Sequence, residues 1–284
     1  MKIIPLAFDS LGVRSMCCYI ETKDVKIVID PGAALAPNRF GLPPHSIEID
    51  RLTELSSVIE EFSSKSDILT ISHYHYDHYE PNATFYSGKS VFVKHPRENI
   101  NRSQKIERAP FIINRLKTMA KELEYADGMS YEFGSTTMEF SPPVYHGREK
   151  SRLGYVLMLA VHTPDQTVIH TSDVQGPIVR STADWIIERN PDLIILGGPP
   201  TYLLGFKLSQ ENLNAVRENL RRILDQTDAK IIIDHHLLRE KDYKERLKDI
   251  WDDDRIKTAA EYLGQKNNLL EARRRELWNK KKGE

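Results

Sequence analysis

The chain has 284 residues, 40% of them hydrophobic, and a formal net charge of −1 at pH 7. We expect one domain over residues 1–284, because this length and composition can bury a substantial core. The near-neutral charge excludes a global positive field that would recruit nucleic acid or acidic membranes. No apolar run has the length of a transmembrane helix, and the N-terminus lacks a signal-peptide pattern. We therefore expect a cytoplasmic protein without a membrane partner.

The first thirty residues predict a series of short β-strands. Runs rich in β-branched and aromatic residues cover 2–8, 16–20 and 25–29, with turn-forming residues between them. The third run ends in Asp30-Pro31-Gly32, and this pattern alone makes Asp30 a turn residue. The loop over residues 37–45 fits a pocket wall and a plain surface connection equally well.

A cluster of metal-type ligands follows the next strand. Apolar residues at helical spacing over 52–62 predict an amphipathic helix, which leads into an apolar strand at 68–71 and then into His73-Tyr74-His75-Tyr76-Asp77-His78. Imidazole and carboxylate donors suit Zn²⁺ and similar divalent ions. His73 and His75 can converge on one ion, and Asp77 and His78 can reach a second. A plain His-rich surface loop is disfavoured, because such a cluster would repel itself on protonation.

The segment after the metal loop predicts a helical insertion over residues 95–125. A strand at 90–93 precedes it, and a helical pattern continues to Glu124. Arg97 and Arg102 lie near its start, together with Asn99, Ser103 and Gln104. Arginine forks match phosphate and carboxylate groups, so Arg97 and Arg102 are candidates for binding a substrate. A solvated helix start explains the same residues equally well.

In the second half of the chain, predicted strands again end in side chains of the metal-ligand type. Strands are predicted at 129–133, 136–140, 153–161 and 167–170. Between them His146 comes just after an apolar stretch, and Asp173 follows the last strand. A strand at 193–196 leads to a loop from which Tyr202 can reach the site. A further strand, at 230–233, ends in Asp234-His235-His236. Residues 240–284 are densely charged, predict C-terminal helices, and include the basic run Lys280-Lys281-Lys282.

The order of these motifs resembles that of the metallo-β-lactamase superfamily. His-x-His-x-Asp-His after a hydrophobic strand is the central motif, and Asp30, His146, Asp173 and His235 match the others in order. Phe8-Asp9-Ser10-Leu11-Gly12, Asp30-Pro31-Gly32 and Asp234-His235-His236 resemble an uncharacterised archaeal branch of predicted metal-dependent hydrolases. Each motif alone is weak, but the set is specific and covers most of the chain.

The resemblance implies a fold and a ligand set. The residues alone predict two β-sheets covered by helices, and the resemblance makes this an α/β four-layer αβ/βα sandwich with the site at one edge between the sheets. It implies that Asp30 orients the metal-bearing loop and that Asp173 bridges two ions. The remaining implied ligands are His73, His75 and His146 for the first ion, and Asp77, His78 and His235 for the second. His236 is the alternative for the last position.

The implied activity is metal-dependent hydrolysis. A hydroxide bridged by two divalent ions would attack an ester-type bond, such as a phosphodiester, lactone or thioester, in a small-molecule substrate. Asp77 would orient the hydroxide, and His236 would protonate the leaving group. Zn²⁺ is the expected ion, and Mn²⁺ and Fe²⁺ suit the same ligands.

Two other functions fit parts of the sequence. A nuclease would hold a nucleic acid backbone with Arg97, Arg102 and the basic run at 280–282, and its binding would depend on salt. A non-catalytic metal-binding protein would keep the sandwich alone, although the intact ligand series argues against this. The C-terminal helices are expected to pack on their own domain, with an oligomer contact as the alternative.

Overall fold

Two β-sheets face each other in residues 1–280, the part of the chain that the computed structural model describes. The first sheet has six strands in sequence order: β1 (Lys2–Phe8), β2 (Met16–Glu21), β3 (Lys26–Ile29), β4 (Ile68–Ile71), β5 (Ser90–Val93) and β6 (Glu122–Tyr125). Strands β1 to β3 pair antiparallel, and β3 to β6 pair parallel. The sheet therefore changes from turn-linked strands to strands that need long crossovers.

The second sheet repeats this change of direction. Its seven strands lie in the order β15 (Ile256–Lys257), β14 (Lys230–Asp234), β13 (Leu193–Gly197), β12 (Gln166–His170), β11 (Leu159–Thr163), β8 (Thr136–Phe140) and β7 (Ser130–Phe133). Strands β7, β8, β11 and β12 pair antiparallel, and β12 to β15 pair parallel. A separate two-stranded ladder joins β9 (Val144–Tyr145) and β10 (Tyr155–Val156).

Amphipathic helices cover the outer faces of both sheets. The first sheet carries α1 (Ser46–Lys65) and α2 (Ala109–Met119), and the second carries α3 (Arg180–Glu188) and α4 (Gln210–Gln226). Helix α4 buries Leu213, Val216, Leu220 and Ile223, which recur at helical spacing and form one stripe. The shorter C-terminal helices are α5 (Tyr243–Arg246), α6 (Lys248–Trp251), α7 (Ala259–Tyr262) and α8 (Arg274–Lys280).

The alternation of side chains along the central strands creates the four layers. Along β14, Ile232 points into the core between the sheets, whereas Ile231 and Ile233 pack under α3 and α4. In β13, Ile195 faces the core between the sheets and Ile194 faces the helices. Both faces of these parallel strands are buried, which explains their continuous apolar sequence.

Three predicted elements differ from the observed ones. The helix expected to reach Glu124 ends at Met119, and Leu123 lies in β6 at the edge of the first sheet. The strand predicted at 153–161 is divided into β10 and β11. The C-terminal region is not wholly helical, because β15 extends the second sheet between α6 and α7. Short apolar runs fit both the helical and the strand periodicity. Pairing at the sheet edges therefore determined which structure these segments adopt.

In residues 1–280, no helix is both long enough and apolar enough to span a bilayer. Most of the basic run lies outside the described residues, namely the side chain of Lys280 and all of Lys281 and Lys282.

Candidate metal centre

The metal-type ligands converge from the ends of four strands. The loop after β4 carries His73, His75, Asp77 and His78, and the other ligands follow β9, β12 and β14. Three residues near strand ends, Asp30, Ser172 and His235, have positive φ values of 51°, 55° and 64°. This left-handed conformation is strained for non-glycine residues and is concentrated at functional sites. The chain therefore turns sharply where it presents these side chains.

The first ligand set joins both sheets. One donor atom from each of His73, His75, His146 and Asp173 lies within 4.8 Å of all the others. His73 Nε2 is 3.0 Å from His75 Nδ1, and His146 Nε2 is 2.9 Å from Asp173 Oδ2. Three imidazoles and a carboxylate at this spacing can surround a single divalent cation.

The second ligand set lies directly beside the first. It contains Asp77, His78 and His235, again with donor atoms within 4.8 Å of one another. His235 Nε2 is 3.8 Å from Asp77 Oδ2 and 3.5 Å from Asp173 Oδ2. The carboxylate of Asp173 therefore lies close to both sets, and the bridging role that the resemblance implies for it stays a prediction.

Several donor atoms in the centre are buried without a hydrogen-bond partner. Within the described part of the chain these include Nε2 of His78, Nε2 of His146 and Oδ1 of Asp173. The short distance between His146 and Asp173 does not have hydrogen-bond geometry. Buried polar atoms are normally satisfied, because leaving one unpaired costs free energy. Nitrogen and oxygen donors that converge in this way fit divalent cations.

Asp30 fixes the position of the metal loop through hydrogen bonds. Its buried carboxylate accepts hydrogen bonds from the backbone N–H and the hydroxyl of Ser72, at 2.7 and 2.6 Å. It also accepts one from Nδ1 of His78 at 2.8 Å. This contact leaves Nε2 of His78 for the second ligand set, which is the orienting role predicted for Asp30.

Asp9 supports His235 in the same way, a role that the sequence analysis missed. Nδ1 of His235 donates to Oδ2 of Asp9 at 2.9 Å, and Nε of Arg239 donates to Oδ1 at 2.7 Å. Asp9 stands in the Phe8-Asp9-Ser10-Leu11-Gly12 motif, which was the only signal for it. Its contact leaves Nε2 of His235 for the second set, and the choice between His235 and His236 as the last ligand stays a prediction.

His236 lies beside these ligands, and one donor atom from each of Asp173, His235 and His236 lies within 4.8 Å of the others. Its Nε2 is 3.0 Å from Asp173 Oδ2, and its Nδ1 accepts a hydrogen bond from Nη1 of Arg239 at 2.8 Å. The hydroxyl of Tyr202 is 3.4 Å from the same Nδ1. Tyr202 therefore reaches the site through His236.

Comparison with known proteins gives the chain a family. No family model matches it. The UPF0282 protein of Methanopyrus kandleri is 45% identical over 291 residues, which cover 98% of this chain and 99% of that protein. The chain belongs to the UPF0282 family.

Solved structures similar to this UPF0282 protein show its fold. A possible metal-dependent hydrolase from Veillonella parvula has 17% identity and a TM-score of 0.58, with 87% of this chain and 94% of that one covered. The metallo-β-lactamase fold protein YhfI of Bacillus subtilis has 13% identity and a TM-score of 0.51, with 88% and 93% covered. The UPF0282 chain has the metallo-β-lactamase fold, so the predicted fold is confirmed.

Burial and neighbouring charge separate the protonation states of the histidines. Burial, helped by the nearby His146, lowers the pKa of His75 to about 3. Burial and the positive charge of Arg239 lower the pKa of His236 to about 4. Both rings are therefore neutral at pH 7, the form in which an imidazole binds a metal.

His235 behaves in the opposite way in the absence of a cation. Burial and Arg239 oppose its charge, but the carboxylates of Asp173 and Asp9 outweigh them and raise the pKa of His235 to about 10. The pKa of Asp77 lies well below its usual range, because the neighbouring His78, His235 and Arg239 outweigh the effect of burial. A cation entering the second set must therefore displace a proton from His235.

A cavity of about 410 Å³ opens onto the centre. The lining combines His75, Asp77, His146, Asp173 and His236 with three arginines, Arg14, Arg108 and Arg239, and with Tyr76, Gln175 and a few apolar residues. Neither Arg97 nor Arg102 belongs to this lining, so the substrate contacts predicted for them are not found here. Arg97 lines a separate cavity of about 390 Å³ with Lys105 and Lys117, and Arg102 is exposed.

Gln104, another residue of the predicted anion-binding group, contacts a metal ligand instead. Its side-chain oxygen accepts from the backbone N–H of Tyr74 at 3.0 Å, and its Nε2 lies 3.1 Å from Nε2 of His75. Nothing in the local sequence distinguishes Gln104 from its exposed neighbours. The contact arises because the insertion folds back over the metal loop.

Proposed function

We propose that this UPF0282 protein is a binuclear metal-dependent hydrolase that cleaves an ester-type bond of a small molecule. The observation that carries the proposal is the position of Asp173 between two convergent ligand sets whose buried donor atoms lack partners. Imidazole and carboxylate donors favour Zn²⁺, and Mn²⁺ or Fe²⁺ suit them as well. The similar fold of a possible metal-dependent hydrolase from Veillonella parvula supports the reaction class.

The two ligand sets suit a shared water as the nucleophile. Two divalent cations in these sets would lower the pKa of a shared water to about 7 and polarise the oxygen of the scissile bond. One carboxylate oxygen of Asp77 belongs to the second set. The other oxygen remains an acceptor that can orient the attacking water. Asp173 keeps both sets close together. No Ser or Cys nucleophile is required.

His236 is suited to stabilise the leaving group. Arg239 donates to its Nδ1, so the proton of the neutral ring lies on Nε2, close to Asp173 and the cavity. Because the pKa of His236 is near 4, the ring carries one proton at pH 7. The proton on Nε2 can be donated to the developing negative charge of the leaving group, which is the role proposed for His236.

The test begins with the metal content of the native protein. We expect about two equivalents of divalent metal in the wild type, and a large loss in His75→Ala and His146→Ala. His162→Ala is the matched control, since His162 lies in β11 and contacts Glu139 and Thr167 rather than the centre. A wild-type protein that retains no metal after loading with Zn²⁺, Mn²⁺ or Fe²⁺ would contradict the proposal.

A substrate screen then identifies the bond. Phosphodiester, lactone and thioester substrates are offered to the loaded wild type, the two variants and the control. We expect one class to be hydrolysed by the wild type and by His162→Ala, with activity in His75→Ala lower by at least about a hundredfold. Hydrolysis that survives in His75→Ala at the wild-type rate would show that the metal centre is not the catalyst.

A nuclease is the second candidate, and the separate cavity at the insertion favours it. Arg97, Lys105 and Lys117 line this cavity, and none of them forms an ion pair with a residue in the range 1–280. Three unneutralised cations can follow a phosphate backbone. Binding of single-stranded RNA should then weaken steeply with salt and fall in Arg97→Ala. Salt-independent or undetectable RNA binding would leave only the small-molecule enzyme.

A further inference from the structure

The three arginines of the metal cavity differ in how their charge is balanced. Arg14 donates two hydrogen bonds to the carboxylate of Glu271, at 2.6 and 2.7 Å. Arg239 is buried and bonded to Asp9 at 2.7 Å. Arg108 is only half-buried and forms no ion pair with any residue that the structure describes. Its positive charge is therefore available to a ligand in the cavity.

Arg108 is nevertheless held in place. The central carbon of its guanidinium lies 4.7 Å from the ring centroid of Tyr76, which is within the range of a cation–π contact. Tyr76 stands between His75 and Asp77 in the metal loop and is 48% exposed. Stacking on a ring face leaves the N–H groups at the edge of the guanidinium free to bind a planar anion.

A π-helical turn links Arg108 to the metal ligands. The turn covers Gln104–Arg108 and continues into α2. Its first residue, Gln104, is buried against Tyr74 and His75. Its last residue, Arg108, reaches the cavity mouth. Isolated π-turns are rare and occur frequently at functional sites, because they redirect side chains that an α-helix would point elsewhere.

We infer that Arg108 binds a non-reacting anionic group, a carboxylate or a phosphate, of the substrate. The inference rests on the proposed hydrolase, and it narrows the substrate to esters that carry a negative charge away from the scissile bond. Leu35, Pro37 and Leu153 supply apolar surface to the same cavity, which suits an apolar part between that charge and the reacting group.

Binding of non-hydrolysable probes tests the inference without turnover. Phenylphosphonate, phenylacetate and neutral benzyl alcohol are titrated calorimetrically into the metal-loaded wild type, Arg108→Gln and Arg102→Gln. Arg102 is the matched control, because it belongs to the same insertion but is exposed and lies outside the cavity lining. We expect Arg108→Gln to weaken binding of at least one anion by about tenfold to a hundredfold, the range of a charged hydrogen bond.

The two anions distinguish the sources of charge. If Arg108→Gln binds phenylphosphonate more weakly, the anionic group of the substrate is a phosphate, and if it binds phenylacetate more weakly, the group is a carboxylate. The affinity for benzyl alcohol should be the same in every protein. Metal content and melting temperature must match the wild type in both variants. The inference is wrong if the wild type binds neither anion, if Arg108→Gln binds both like the wild type, or if Arg102→Gln loses as much.

Turnover separates this inference from the proposed function. With an ester that the wild type cleaves, Arg108→Gln should lower kcat/KM for the anionic form and leave a matched neutral ester unchanged. A wild type that binds anions through Arg108 but cleaves no ester overturns the hydrolase and keeps the anion site. Normal hydrolysis with an unchanged preference for anionic over neutral esters overturns the anion site alone.

Discussion

His235 and Asp9 are 226 residues apart in the sequence, yet Nδ1 of His235 lies 2.9 Å from Oδ2 of Asp9. Asp9 begins the short turn after β1, and His235 follows β14 directly. The contact therefore connects the first strand of one sheet to a parallel strand of the other. It also orients the one histidine that the second sheet supplies to the second ligand set.

Asp9→Asn should weaken the binding of the second cation more than the binding of the first. The amide cannot hold Nδ1–H of His235 as a carboxylate does, and it leaves Arg239 without its anion. We expect affinity for the second equivalent of metal to fall by about tenfold to a hundredfold, the usual effect of losing such a partner. Competition with a chelator measures both equivalents. Asp50→Asn, an exposed change in α1, is the control, and equal affinities in the two variants would contradict the role of Asp9.

The metal-free protein should lose stability as the pH falls from about 6.5 towards 3. Burial lowers the pKa values of His75 and His236 to about 3 and about 4, so the unfolded chain binds more protons than the folded one in this window. Stability therefore rises with pH across it. Urea midpoints at pH 7.5, 5.5 and 4.5 measure the slope.

His75→Gln should flatten this dependence, because it removes one of the two imidazoles whose pKa is lowered, whereas His162→Gln should keep it. A midpoint in the wild type that does not change between pH 6.5 and 4.5 would show that the histidines are not buried in the neutral form.

Gly32→Ala should destabilise the fold around the metal loop. A Cβ at position 32 would lie 2.1 Å from the backbone nitrogen of Tyr79, the residue after His78. The loop must then shift, at a cost of about 1–3 kcal/mol or more in the free energy of unfolding. Gly88→Ala is the comparison, because its Cβ would meet nothing within 4 Å and only its φ of 71° is unfavourable, which costs about 1–2 kcal/mol. In urea denaturation, Gly32→Ala should be clearly less stable than Gly88→Ala. Gly32→Ala should also contain less metal.

Arg274→Ala should be among the most destabilising changes in the C-terminal region. Arg274 and Glu48 are both fully buried and share a bidentate ion pair, and Nη1 of Arg274 also donates to the carbonyl of Ala36 at 2.9 Å. Removing the guanidinium leaves the buried Glu48 carboxylate without its cation and with the backbone N–H of His45 as a donor, which costs about 3–5 kcal/mol. The double variant Arg274→Met with Glu48→Leu should recover much of this loss.

Arg273→Ala is the control for that region, because its partly exposed ion pair with Glu276 is worth about 0–1 kcal/mol. If both single variants unfold at the same urea concentration, the buried pair does not anchor α8 to α1.

Local sequence determined the parts of this protein that depend on neighbouring residues. The apolar strands before Asp30, His73 and His235 were predicted because β-branched runs and turn formers encode their own backbone conformation. The metal loop was predicted because its four ligands lie within six consecutive positions. The distant ligands His146 and Asp173 came only from the order of motifs, since a lone histidine or aspartate has no distinctive local signal.

Tertiary structure alone decided the rest. Leu123 became a strand residue because β5 offered an open edge, which no periodicity reveals. Asp9, Gln104, Arg108 and Arg239 have ordinary sequence neighbours, and they acquired their contacts only when the two sheets packed and the insertion folded over the loop. Backbone conformation depends mainly on adjacent residues, whereas the meeting of side chains depends on how whole layers pack, so the chemistry of the cavity could not be read from the chain in order.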